Sequence, residues 1–283
     1  MATLTKKESS SPKSNSDSVA KPEAIVFDLQ GILRCDDLDT EVFIPYIRSN
    51  TKDYLKQYWS DPEIIQIVQN LRTQSIDIHY RRDRDDCPVV EDEEDDETNA
   101  DNFESCLCSL LQFLEWQMTN KQETVDARKL HKKMILEGLD TREITIPVYE
   151  DVQPALNKWT KKFKIKVFVL GSLEEIFMDK VLARTKAGNL HNWLSGFLDS
   201  SFGQLTDSKT FSNVIAALNT KPTKILFITN SGKVAKAAEK CGLSVMLIER
   251  PRVRIREYYT TKFPTVTSLS TIAFIDTKKM SKD

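Results

Sequence analysis

A chain of 283 residues, 40% hydrophobic and 29% charged, can bury one large core or two modest ones. Its 40 basic and 42 acidic residues leave a formal charge of −2, which excludes the bulk positive field that draws nucleic acid or an anionic membrane. No apolar run reaches membrane-spanning length and no apolar signal core stands at the N-terminus, so the expected compartment is a reducing interior, the cytosol first and the nucleus in addition.

Residues 1–22, rich in Ser and Lys, lack the large apolar groups that repay ordering and read as a disordered tail, as do residues 277–283. The short apolar run Ala24 to Phe27 ends at Asp28 and reads as a strand. Between Leu38 and Thr145 the period is helical. "FIPYIRSNTKDYLKQYW" is amphipathic, with Pro45 near its start, and Phe103, Leu107, Leu110, Leu111 and Leu114 form one stripe in "FESCLCSLLQFLEWQM". Residues 81–101 open with three arginines (Arg81, Arg82, Arg84) and run into a dense acidic block. Self-repulsion argues against a folded element in its second half, and the segment reads as a solvated insertion or an acidic docking loop.

After Pro147 strands and helices alternate. "KIKVFVL" (164–170), "KILFIT" (224–229) and "SVMLI" (244–248) read as strands. Helices are expected from about Leu173, over "KTFSNVIAALN", and over "GKVAKAAEKCG" with Gly242 as its stop. Such alternation predicts an α/β fold, a doubly wound parallel sheet that includes the early strand, with the helical stretch inserted as a cap. The expected division is 23–37 plus 148–276 as core and 38–147 as cap. The five cysteines are scattered; Cys106 and Cys108 lack a second pair at zinc spacing and read as reduced residues. His79, His131 and His191 share no ligand spacing.

Ligands of open parallel sheets sit at the carboxyl ends of strands. Those ends are Asp28, Leu170-Gly171-Ser172 and Thr229-Asn230. A strand-tip Asp, a strand-to-helix Gly-Ser and a polar third strand end resemble the haloacid-dehalogenase-like hydrolases. Over residues 24–251 the order and spacing of "FIPYI", Trp59, "WQM", "VYEDV", "LGS", "GFLDSSFG", "ILFIT" and "ERP" resemble the enolase-phosphatase (acireductone synthase) family of methionine salvage.

The resemblance implies an aspartate nucleophile, an acid/base carboxylate, Ser and Lys phosphate ligands, and magnesium held by the nucleophile, a backbone carbonyl and a later acid. Its substrate would be a small phosphate ester, 2,3-diketo-5-methylthiopentyl-1-phosphate. Carried over residue by residue, the nucleophile position is Asp28, which also serves as a metal ligand. The acid/base Glu is Gln30, whose backbone carbonyl takes the second metal position, and the Thr two residues on is Ile32. The phosphate- and substrate-binding serines are Val169 and Leu170, the Lys is Leu205, the metal-binding Asp is Asn230, and a further acid is Val234.

An amide cannot exchange a proton near neutral pH, and losing acid–base help alone costs about a hundred- to ten-thousandfold. Losing one of few carboxylates weakens a divalent-cation site sharply. The first expectation is therefore a catalytically impaired or inactive relative, needing no cofactor, that acts as a binding or regulatory protein through its cap or acidic loop. The alternative is an active magnesium-dependent enolase-phosphatase. A third reading recruits Asp207 and Lys209 to a changed activity, although both also suit the polar start of a helix. Asp36, Asp37 and Asp39 read as a solvated turn.

Overall fold

The computed structural model describes residues 18–33, 37–82, 84–92, 100–251 and 253–275. The expected tails at 1–17 and 277–283, part of the acidic block (93–99), Asp36 and Cys35 lie outside them. The described residues form two units: an α/β unit of 18–33, 148–178 and 190–275, and a helical unit of 37–147 and 179–189.

The α/β unit contains eight strands: β1 (Ser18–Ala20), β2 (Ala24–Asp28), β3 (Lys166–Leu170), β4 (Gly196–Leu198), β5 (Ile225–Thr229), β6 (Ser244–Ile248), β7 (Thr265–Val266) and β8 (Ala273–Ile275). Six of them make one parallel sheet in the order β4-β3-β2-β5-β6-β7. The early strand is thus central, with Asp28 beside Leu170 and Phe27 beside Ile228. A central strand covered on both faces needs an unbroken apolar run, and every residue of β2 is buried. Phe211 and Phe227 pack edge to face at 4.9 Å within the core on one side of the sheet. The helix Gly232–Lys240 is followed by Gly242 at φ +83°, a left-handed stop that a side chain would strain. These elements agree with the expected α/β fold.

Ser18–Ala20 departs from the expected tail. It pairs in parallel with Ala273–Ile275, Val19 opposite Phe274. Local composition cannot show this pairing, because each strand's partner lies at the other end of the chain.

The helical unit contains α1 (Ile44–Tyr58), α2 (Pro62–Ile76), α3 (Ala100–Asn120) and α4 (Val125–Thr141). Asp61 caps α2 by accepting from the Glu63 and Ile64 N–H groups, and Thr124 caps α4 by accepting from Ala127 N–H. Leu107, Leu110 and Leu114 of the predicted stripe are buried, joined by Phe113, which stacks on Trp116 at 6.2 Å. Residues 179–189, expected in the α/β core, belong here: Lys186 N–H donates to Ile146 O at 2.9 Å and Arg184 Nε to Leu139 O at 2.7 Å. The first half of the charged block is pinned rather than loose. Arg84 holds Asp86 through two hydrogen bonds, Val90 N–H donates to Ser75 Oγ, and Glu91 N–H donates to Ser109 Oγ.

Candidate functional site

The expected site residues of the α/β unit gather at the carboxyl ends of β2, β3 and β5. Asp28 is 3% exposed. Its Oδ2 accepts from Thr229 Oγ1 at 2.7 Å and its Oδ1 from the Gln30 N–H at 3.2 Å. The Thr229 hydroxyl in turn accepts from Ser231 N–H at 3.0 Å. Burial pushes the Asp28 carboxyl above the ordinary carboxylate range, against the two hydrogen bonds, which favour the ionised form.

Gln30 follows in a single tight turn, its side chain exposed. Its backbone carbonyl, the second expected metal ligand, accepts from the Asn230 side-chain amide at 3.4 Å. Asn230 therefore presents a donor where a metal-binding carboxylate would present an acceptor.

Val169 and Leu170 are both fully buried at the end of β3, and Leu170 lies in the same apolar cluster as Val234 and Phe227, with Leu205 packed against it. Of these four positions that the resemblance makes polar, Val169, Leu170 and Val234 are thus buried in the hydrophobic core and Leu205 packs partly buried against it. Ser172 is exposed beyond Gly171. A Cβ at Gly171 would stand 2.8 Å from Met178 Sδ, so a side chain there requires Met178 to shift. Asp207 accepts from the Lys209 N–H at 2.9 Å as the cap of the helix Ser208–Leu218, and Lys209 is exposed. Both residues play the structural part that the start of a helix requires.

Arg250 and Asp151 carry a role that the sequence reading did not assign; both occurred only inside the matched stretches "ERP" and "VYEDV". Arg250 is 4% exposed. Its Nε donates to Gly31 O at 3.1 Å, and its Nη1 donates to both Asp151 oxygens at 3.1 and 2.9 Å. The guanidinium lies 4.1 Å from the centre of the Tyr149 ring. Asp151 also accepts from Ser268 Oγ and from Leu269 N–H. The pair ties the turn after Asp28 to the end of β6 and to the segment before β8. No local pattern in the sequence marks this pair, whose members lie 99 residues apart.

A magnesium ion needs a hard, anionic oxygen shell. The described residues do not fit one: among them a single carboxylate faces the position, with the protonated form favoured by burial, and the neighbouring carbonyl already accepts an amide N–H. Among the described residues no three His, Cys, Asp or Glu side chains converge. In the helical unit, His131 Nδ1 is 2.7 Å from Glu123 and His79 Nδ1 is 2.7 Å from Cys87 O. Asp39 N–H donates to Asp37 at 3.1 Å in a local turn.

No family model matches the chain. It is 24% identical over 258 residues to Enolase-phosphatase E1 of Anopheles gambiae, covering 90% of this chain and 84% of that protein. It is 26% identical over 262 residues to Enolase-phosphatase E1 of Danio rerio, covering 91% and 98%. Among solved structures, the Unknown transcript 4 protein of Saccharomyces cerevisiae superposes with a TM-score of 0.66 at 15% identity, covering 89% of this chain and all of that one. The resemblance to enolase-phosphatases therefore extends over most of the chain, and the chain shares its fold with that yeast protein.

Proposed function

We propose that this chain is a non-catalytic relative of the enolase-phosphatases that keeps their α/β core and acts as a binding or regulatory protein. The observation that carries this reading is the hydrogen bond from the Asn230 amide to the Gln30 carbonyl, beside a lone buried Asp28. In-line phosphoryl transfer to a carboxylate needs that carboxylate ionised, an acid for the leaving oxygen, and cations for the developing charge. At this site Gln30 cannot supply a proton, Val234 is part of the apolar core and Leu205 packs against it. The replacements are mutually consistent: a Lys kept here after its acidic partners were lost would be a buried charge without a counter-ion.

One feature favours the second reading, an active magnesium-dependent enolase-phosphatase: Asp28 stands at the tip of the central strand with Thr229 and the Gln30 N–H on its oxygens. Phosphate release from the diketo phosphate ester and from a generic aryl phosphate, with magnesium, separates the two. The proposal expects no turnover above that of Asp28→Asn. It further expects activity to appear when Gln30→Glu, Leu205→Lys and Asn230→Asp are combined. Turnover by the unaltered chain that Asp28→Asn abolishes would overturn it.

A further inference from the structure

All six strands of the large sheet run in parallel, so the segments that enter them meet along one edge, opposite the edge that carries Asp28. That entry edge is basic across four adjacent strands, β3, β2, β5 and β6. The segment into β3, "KWTKKFKIK" (158–166), holds five lysines and no acid. Lys21 precedes β2, Lys221 and Lys224 precede β5, and Lys240 ends the helix before β6. Hydrogen bonds join these entries: Glu23 N–H donates to Lys224 O at 2.9 Å, and Lys166 N–H donates to Glu23 O at 3.3 Å. Against nine lysines, Glu23 is the single carboxylate in residues 20–24, 157–166, 219–224 and 240–244. All nine but the half-buried Lys21 and Lys224 are exposed, and none forms an ion pair with another described residue.

Lysines near helix ends answer the negative end of the helix dipole, which accounts for Lys161, Lys162 and Lys240. It does not account for Lys164, Lys166 and Lys221, which lie outside helices. Like charges gathered on one edge repel, and an anionic partner relieves that repulsion. The partner's class follows from what the edge lacks. Single-stranded nucleic acid needs exposed rings on which to stack bases, but Trp159 is fully buried against Phe27, and Phe163 packs on Phe274 at 5.6 Å. A membrane surface needs apolar side chains to insert, and none of the exposed large hydrophobic residues lies in these segments. Four strands span about 14 Å, so about five residues of extended chain cross them. We infer that this edge is a docking surface for a short acidic polypeptide segment, its carboxylates held by the lysines of the β3 and β5 entries. The surface is separate from Asp28 and does not depend on whether that residue is catalytic.

The test is fluorescence anisotropy of the full chain with a labelled octaglutamate peptide, an octaglutamine peptide and a single-stranded thymidine octamer, together with co-sedimentation on phosphatidylserine vesicles. Each is measured at about 50 and about 300 mM sodium chloride, since exposed charges are screened by salt. Expected is saturable binding of octaglutamate that weakens as salt rises, and no binding of octaglutamine. Lys166→Gln combined with Lys221→Gln should weaken octaglutamate binding about tenfold at low salt, the joint effect of two exposed ion pairs. Both side chains are exposed and unpaired among the described residues, so the melting temperature should stay within about 2 °C. Lys209→Gln combined with Lys233→Gln removes the same charge from exposed helix starts at the opposite edge and should leave the affinity within about twofold. The inference is overturned if octaglutamate fails to bind at low salt, or if the edge pair loses no more affinity than the control pair. It is also overturned if the thymidine octamer or the vesicles bind more tightly than octaglutamate, since the edge would then serve a different class of partner.

Discussion

Removing Asp151 tests the claim that one ion pair holds the turn after Asp28 in place. In Asp151→Ala the Arg250 guanidinium, 4% exposed, keeps its Gly31 contact but loses its counter-ion among the described residues. Ser268 Oγ and Leu269 N–H lose their acceptor as well. Breaking a buried pair from one side costs about 3–5 kcal/mol, because it strands a charge. With a urea slope of about 2.5 kcal/mol/M, a loss of about 4 kcal/mol lowers the unfolding midpoint by about 1.6 M. Tryptophan fluorescence is a suitable probe, since Trp159 is fully buried in this unit and stacks on Phe27 at 5.6 Å. The double change Arg250→Met with Asp151→Ala removes the stranded charge and leaves two donors and the Gly31 carbonyl without these partners, so its loss should be smaller, about 2 kcal/mol. A single-variant loss below about 1 kcal/mol, or a double variant no better than the single, would refute the reasoning.

Three further outcomes are expected. Asp28 has its folded-state pKa raised by burial above the ordinary aspartate value, so the folded state holds a proton that the unfolded chain releases. Stability from this group is therefore full below the unfolded pKa and declines as pH rises through the folded one. Asp28→Asn should be more stable than the unaltered chain near neutral pH, with the gap closing toward pH 4, as read from urea midpoints across pH. Leu205→Lys alone should lose about 2 kcal/mol in thermal melts by placing a charge against the apolar cluster, whereas Leu205→Met should lose less than about 1.5 kcal/mol. A Cβ at Gly232 would stand 2.2 Å from the Tyr259 ring, so Gly232→Ala should lose about 1–3 kcal/mol, much of it regained when Tyr259→Ala is added.

The sequence by itself determined the layered α/β unit, because its signals are local: unbroken apolar runs in β2 and β5, helical stripes, and Gly242 as a stop. It also placed Asp28, Gln30 and Asn230 at strand ends, since spacing along an open parallel sheet brings those ends to one edge. What those residues touch depends on the folded chain. The Asn230 amide donates to a carbonyl 200 residues away, and Arg250 reaches Asp151 across 99, contacts set by strand order and side-chain direction that no local pattern encodes. The same holds for β1, a three-residue strand whose composition reads as tail and whose order comes from pairing with β8. The apolar residues at the expected phosphate positions were visible as substitutions. That Leu170 and Val234 close into a single core cluster with Leu205 packed against it required the packed chain, because burial depends on every neighbour at once.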